Sequence, residues 1–388
     1  MHVGTISRRV DVFIVGAGPA GLACAIAAAS QGLQVEVVDG AKPPIDKACG
    51  EGLMPDTLAA LVQLGIDLNH ASIQEELQSS SFPLRGIRFI GSPSDTRRAT
   101  TTEAVFPEGQ GRGVRRTVLH QLLLQRALAL GVRLHWETTV KHIEGEQVHT
   151  SRNTIRGRWI VGADGHQSRI RFLAKLDKAS AGPQRIGLRQ HFAITPWTNF
   201  VEVHWADHTQ AYVTPVSPNE VCVAFIASKK FTGIQSALAL FPSLQSRLAS
   251  VPATDNPKGA ITMSRRFHHV TSGNIALIGD ASGSVDAITG EGLALCFRQA
   301  LELAQAFKAE DLSLYEQAHA RLHRLPRFMS RSLLMMDRSP RVLKKTLNTF
   351  QRKPDLFSQL LKVHIGHSQI RLLGSSGMLA SLLCFITS

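Results

Sequence analysis

The chain has 388 residues, 44% of them apolar, which excludes a disordered polymer or a small disulfide-stapled module and suits two closely packed domains. Lysine and arginine total 43 against 30 acids, a formal charge of +13. No zinc spacing and no RNA- or DNA-binding motif accompanies that charge, so nucleic acid and a structural metal are both set aside.

Val10 to Val15 is an apolar run ending in glycines and predicts a buried parallel strand. Pro19 to Gln31 is alanine-rich and predicts a helix closed by Gly32. Val35 to Val38 predicts the next strand, ending at Asp39. Further on, Asp56 to Leu64 and Thr117 to Leu130 read as helices. Residues 85 to 106 read as strands joined by a polar turn, Ser92 to Thr96. Short strands over 132 to 163 end in a buried one at Ile160 to Ala163. From about 180 the pattern changes. Arg189 to Ile194, Phe200 to Trp205, Tyr212 to Val216 and Val221 to Ala227 predict an antiparallel sheet. Ile275 to Ile278 is one more buried strand, with a helix from Gly290 to Phe307 behind it.

After about 310 the chain reads as helical and basic, with twelve Lys/Arg against Asp337 and Asp355 between Arg321 and Arg371. That surface suits an acidic carrier protein or an anionic membrane. Leu372 to Ser388 is uncharged and apolar, but too short and glycine-broken for a confident span, so it is expected to pack on the protein or lie on a membrane. The five scattered cysteines (Cys24, Cys49, Cys222, Cys296, Cys384) lack any CxxC pair and point to reduced thiols in a cytoplasmic compartment, with peripheral membrane contact left open.

The strongest motif is Gly16-Ala17-Gly18-Pro19-Ala20-Gly21, between the first strand and helix. Gly16 permits the turn, Gly18 lets a pyrophosphate approach the backbone, and Gly21 lets helix and strand pack closely. The helix N-terminus at Pro19 and Ala20 offers free N–H groups to phosphate. Asp39, 18 residues after Gly21, is placed for ribose hydroxyls and opposes a 2′-phosphate. This fingerprint alone does not separate FAD from NAD.

Two later segments bear on that choice: Gly162-Ala163-Asp164-Gly165-His166-Gln167-Ser168-Arg169, and Gly279-Asp280-Ala281 followed by Thr289-Gly290-Glu291-Gly292. With the first motif they resemble the FAD-dependent hydroxylase and geranylgeranyl reductase superfamily, which includes the para-hydroxybenzoate hydroxylase-like flavin monooxygenases. The resemblance covers most of residues 10 to 310. It implies a mixed α/β (α+β) fold. A Rossmann-type FAD-binding domain spans residues 8–180 and 265–310, with a β insertion at about 80–110. An interwoven antiparallel substrate domain spans 181–264, and a helical basic C-terminal region spans 311–388.

The resemblance further implies that Asp280 binds the flavin-side ribose or ribityl chain, and that the helix after Gly290, Glu291 and Gly292 points at the flavin pyrimidine ring. Asp164 and Gly165 match the family's DG motif near the cofactor. Arg116 is expected at the FAD phosphates or flavin edge. Cys49-Gly50-Glu51-Gly52-Leu53 resembles the glycine-rich loop of geranylgeranyl reductase relatives and is expected beside the flavin ring. Three side chains are catalytic candidates: Cys49, with Lys47 nearby to favour its thiolate, His191 and Tyr212. Only one dinucleotide fingerprint exists, so NADH or NADPH must visit transiently, or a separate reductase must supply electrons.

The activity implied is an FAD-dependent oxidoreductase, foremost a flavin monooxygenase acting through a flavin C4a-hydroperoxide on an apolar or phenolic small molecule. The alternative is a reductase of carbon–carbon double bonds on an isoprenoid-like substrate. Tyr212-Val-Thr-Pro215, however, departs from the aromatic-to-proline segment of prenyl reductases. A third reading, from another class, is a non-catalytic FAD-binding adaptor that docks through the basic C-terminal region. The four tryptophans include no WxW pair, which argues against a tryptophan-halogenase reading.

Overall fold

The first apolar run forms the strand Arg8–Val15, which pairs in parallel with Val35–Val38 on one side and Thr154–Gly162 on the other. Val12, Phe13 and Ile14 are fully buried, so both faces of the strand are covered; this is why the run is continuous rather than alternating. The sheet is eight-stranded, with central order Thr271–Ser272, Ile275–Leu277, Thr154–Gly162, Arg8–Val15, Val35–Val38, Arg133–His135. Small residues on the helix Pro19–Ala29 let it pack tightly against the helix Gly292–Lys308. The structure is a computed structural model describing residues 8–70, 77–91, 99–107, 109–206 and 208–366. The turn expected at Ser92 to Thr96 and the segment Leu372 to Ser388 lie outside the described residues.

The second sheet has seven strands, in the order Lys258–Thr262, Arg185–Phe192, Glu220–Ala227, Thr209–Ser217, Phe200–Ala206, Gly86–Ile90, Thr101–Val105. One expectation is corrected here. The insertion at about 80–110 does not belong wholly to the nucleotide domain, since two of its strands extend the substrate sheet. The strands expected between residues 189 and 227 do pair antiparallel, and Gly86–Ile90 joins them in parallel to Phe200–Ala206. Two features hold the join. Arg88 is 3.0 Å from Glu103 and 3.1 Å from Glu202. A Cβ on Gly86 would lie 2.0 Å from the Ala104 carbonyl oxygen, so the close approach needs glycine.

One face of this sheet packs on the helices Ile234–Leu238 and Pro242–Leu248 through Val213, Val223 and Phe225. The other face, bearing Phe89, Val203 and Trp205, is covered by three C-terminal helices: Arg324–Arg338, Pro340–Arg352 and Pro354–His364. Phe350 and Phe357 stack with centroids 4.8 Å apart, and Phe89 meets Phe357 at 4.8 Å. A buried polar cluster fixes this roof. Arg185 lies 3.0 Å from Asp286 and 3.5 Å from Asp337, and the Gln210 amide donates to Asp337. Up to residue 366 this part of the chain is helical, and the inner faces of these helices are apolar. Among the described residues no helix is long and apolar enough to cross a membrane.

Candidate active site

The glycine turn behaves as its sequence requires. Gly16 has φ +106°, and a Cβ there would lie 2.4 Å from the Ala163 carbonyl oxygen. A Cβ on Gly21 would lie 1.8 Å from the Gly16 oxygen. Gly18 differs: a Cβ would meet nothing within 4 Å, so its backbone faces open space at the start of the helix Pro19–Ala29. Gly18, Pro19 and Ala20 line a cavity of about 510 Å³. Asp39 accepts from the Ala17 N–H at 2.7 Å and the Ala41 N–H at 2.8 Å, which pins its carboxylate beside the turn.

Farther along the same cavity, Gly279 takes φ +61° and donates its N–H to Gln299 at 2.8 Å. Asp280 lines the cavity, and its carboxylate accepts no hydrogen bond among the described residues. Gly290, at φ +69°, and Gly292 have open space where a Cβ would stand, directly before the helix Gly292–Lys308. Glu291 is the residue preceding that helix. Burial, with Asp56 adding repulsion, pushes its carboxyl up to about 8, so it is neutral at pH 7. Arg116 lines the cavity with a buried Nε that has no hydrogen-bond partner among the described residues.

The loop Cys49 to Gly52 forms the cavity edge beside Arg116. Glu51 holds φ +59°, unusual for a non-glycine residue. Its carboxylate accepts from the Arg116 N–H at 3.0 Å and lies 2.6 Å from His191 Nε2. Thr214 Oγ1 donates to the Gly50 carbonyl at 2.7 Å, so the substrate sheet grips the loop directly. Gly52 pairs with Gly113 in a small sheet. Cys49 also lines the cavity. Burial pushes its thiol up and outweighs the nearby Arg116 and Arg189 charges. The expected thiolate is thus replaced by a neutral thiol.

Three other expected site residues sit differently from their sequence reading. Asp164 does not line the cavity: its carboxylate accepts from the Ser168 hydroxyl and from the Arg169 N–H (2.7 Å) and Ile170 N–H (3.1 Å), capping the helix Arg169–Leu173. Its neighbour Gly165 does line it, at φ +79°. His191 lies behind Glu51, with Nδ1 2.8 Å from Asp255. Burial alone would lower its pKa, but the two carboxylates raise it. Tyr212 reaches the cavity, yet its hydroxyl donates to the Ile288 carbonyl at 2.8 Å, and burial pushes the phenol up. His191 is therefore a positioning residue, and Tyr212 a wall whose proton is already committed.

Sequence reading did not single out Asp255 or the roof helices as parts of the site. Arg189, named above only as the start of a predicted strand, proves to be a charged anchor: it ion-pairs with Asp46 at 2.6 Å and with Asp255. Asp255 lies in a loop without a motif, and only the fold brings it to His191. Among the described residues, Glu51, His191 and Cys222 are close enough to suggest a metal site. Both His191 nitrogens already face carboxylates, and burial holds the Cys222 thiol protonated, so the donor set does not fit an ion.

Beyond the polar end, the cavity continues between the substrate sheet and the roof, lined by Phe89, Val203, Trp205, Met336, Phe350 and Leu361. A model of the FAD binding domain family matches residues 9–324. The chain belongs to that family. A menaquinone reductase of Mycolicibacterium smegmatis is 26% identical over 313 residues, 74% of each chain. A ubiquinone hydroxylase of Rhodospirillum rubrum is 30% identical over 193 residues, 48% of this chain and 43% of that one. A flavoprotein/dehydrogenase from Cytophaga hutchinsonii shares the fold with a TM-score of 0.81 at 19% identity, covering 98% of this chain and 99% of its own.

The residues present fit FAD. The open backbone at Gly18 and the helix start beside it suit the pyrophosphate. Asp39 and Asp280 suit the two sugar-like segments, and the unpartnered Arg116 Nε suits an anionic oxygen. The N–H groups in the first turn of the helix Gly292–Lys308, which have no carbonyl partner within the helix, suit negative charge on a flavin ring. Bound FAD supplies electron transfer that protein side chains cannot perform. The protein is an FAD-dependent oxidoreductase, and its cavity has a glycine-lined polar end and an apolar chamber at the other.

Proposed function

We propose that the protein is a flavin monooxygenase that hydroxylates a molecule with an aromatic or phenolic head on an apolar body. The carrying observation is the continuity of the cavity: the polar cradle opens directly into a chamber walled by aliphatic and aromatic side chains. Such a chamber excludes water, which oxygen transfer from flavin requires. Cys49 at its edge is held as the neutral thiol, the form that resists oxidation. NADH or NADPH reaches the flavin transiently, since the chain has a single dinucleotide fingerprint. The four described cysteines are free, which supports a cytoplasmic compartment. The test is turnover of a long-chain alkylphenol under ¹⁸O₂ with NADH or NADPH. One labelled oxygen in the product supports the reading, and a product without label overturns it.

A second reading is reduction of a carbon–carbon double bond in an isoprenoid-like chain. The neutral Cys49 thiol facing the cavity favours it, because a protonated group beside the cofactor can deliver a proton to carbon. The menaquinone reductase aligned over three quarters of both chains also supports it. Product formation without oxygen would select this reading over the first.

A further inference from the structure

The roof helices carry two different faces. Arg324, Arg331 and Arg338 are exposed and seven residues apart, which places them on one stripe of the helix Arg324–Arg338. On the helix Pro340–Arg352, Arg341, Lys344 and Arg352 recur at three- and eight-residue steps and share one exposed face. Lys353 and Lys362 add exposed charge on the third helix and its approach. None of these eight residues has an acidic partner among the described residues. The acids of the region do not neutralise them: Asp337 is buried against Arg185 and Gln210, and Asp355 is a single exposed carboxylate.

A solvated basic face is common, and charge alone would not identify a partner. The second observation is what lies beside the stripe. Phe328 follows Arg324 by four residues and Met335 follows Arg331 by four, so both flank the basic stripe. Both are partly exposed, and both line the cavity. One helix therefore presents arginines to an anionic surface and, along their edge, the apolar wall of the substrate chamber. The roof is anchored by the buried Arg185–Asp337 pair, so the two faces are held in fixed relation.

We propose that this basic face docks on a membrane bearing anionic phospholipid and sets the Phe328–Met335 edge of the cavity against the lipid. Phospholipid headgroups satisfy the unpaired arginines and lysines, while the apolar edge meets the region where an apolar substrate dissolves. An acidic carrier protein would match the charge but not the apolar edge. The docking itself is independent of whether the reaction is hydroxylation or reduction; only substrate entry from lipid rests on the proposed function.

The experiment is co-sedimentation of the FAD-loaded protein with vesicles. One set contains phosphatidylcholine alone, and the other equal parts phosphatidylcholine and phosphatidylglycerol. The expected result is binding to the anionic vesicles that weakens at least tenfold as salt rises from low to high, with little binding to neutral ones. Arg331→Glu/Arg338→Glu/Lys344→Glu should weaken binding by about 100-fold or more, since several charges reverse at once. The same variant should keep its flavin content and melting temperature. Lys229→Glu/Lys230→Glu, on a different exposed loop, should bind like the parent. Equal binding to both vesicle types, no binding to either, or a triple variant that binds anionic vesicles normally would each overturn the proposal. So would salt-sensitive capture by an acidic protein with no vesicle binding.

Discussion

Glu51 places one carboxylate oxygen 2.6 Å from His191 Nε2 and the other 3.0 Å from the Arg116 N–H. This one side chain ties the flavin-side loop both to the substrate sheet and to the helix Arg116–Ala129. It does so from a left-handed backbone conformation that costs on the order of 1–2 kcal/mol outside glycine. Glu51→Ala removes both bonds while the backbone strain stays. The expected outcome is a melting temperature lowered by several degrees and weaker FAD retention, read as the flavin-to-protein ratio after dialysis. Unchanged flavin content would show that the loop holds its shape without this tie.

The same contact predicts a pH dependence. The His191 pKa is raised in the folded protein, so its stabilisation is whole below the unfolded value of about 6.5 and is lost as pH rises through the raised native value. Asp255 and Glu220 are lowered despite burial, because His191 and Arg115 respectively hold them ionised. Their contribution is present above the ordinary carboxylate range and is lost on acidification. The melting temperature should therefore be highest between about pH 4.5 and 6.5. His191→Gln should flatten the alkaline fall and lower stability by about 3 kcal/mol near pH 6, as expected when one partner of a buried ion pair is removed.

Glu291 gives a second pH signature, in the redox behaviour. Its carboxyl ionises at about 8, and it directly precedes the helix Gly292–Lys308, whose first turn lines the cavity. A negative charge appearing there opposes negative charge on the reduced cofactor. The flavin midpoint potential should fall more steeply with pH above about 8 in the parent than in Glu291→Gln. Parallel potential curves for the two proteins would remove Glu291 from the flavin end of the cavity.

Cys49 separates the two reaction readings. Under hydroxylation, Cys49→Ala should leave the turnover number within about tenfold, because a wall residue is being exchanged for a smaller one. Under double-bond reduction the same change removes the proton donor and should cost roughly 10²–10⁴-fold. Steady-state turnover with and without oxygen checks both expectations on one pair of proteins. Tyr212→Phe should cost only about 1 kcal/mol of stability, the loss of its hydrogen bond to Ile288.

Much of the nucleotide end was legible in the sequence because its chemistry is local. Gly16, Gly18 and Gly21 act through backbone shape within one turn, and Asp39 follows at the end of the next strand. Residues whose role depends on distant partners were read less well. Asp164 looked like a cofactor ligand, but its carboxylate caps the helix that starts at Arg169. His191 was a candidate proton donor on a predicted strand of the substrate sheet, yet Glu51 lies between it and the cavity. The roof helices read simply as basic, since the charge pattern is conspicuous and the apolar inner face matters only once the substrate sheet is in place. The strands Gly86–Ile90 and Thr101–Val105 were counted as an insertion of the nucleotide domain because parallel pairing with Phe200–Ala206 leaves no mark on either segment alone.

One expectation underlies the rest: the glycine-lined end of the cavity holds a single flavin nucleotide. Titrating flavin-free protein with FAD, followed by visible absorbance and fluorescence, tests it most directly. It predicts saturation at one FAD per chain, with uptake abolished in Gly18→Val and weakened at least tenfold in Asp280→Ala, while both variants keep the parent's circular dichroism. Full uptake by Gly18→Val, or no uptake by the parent protein in excess FAD, would contradict it.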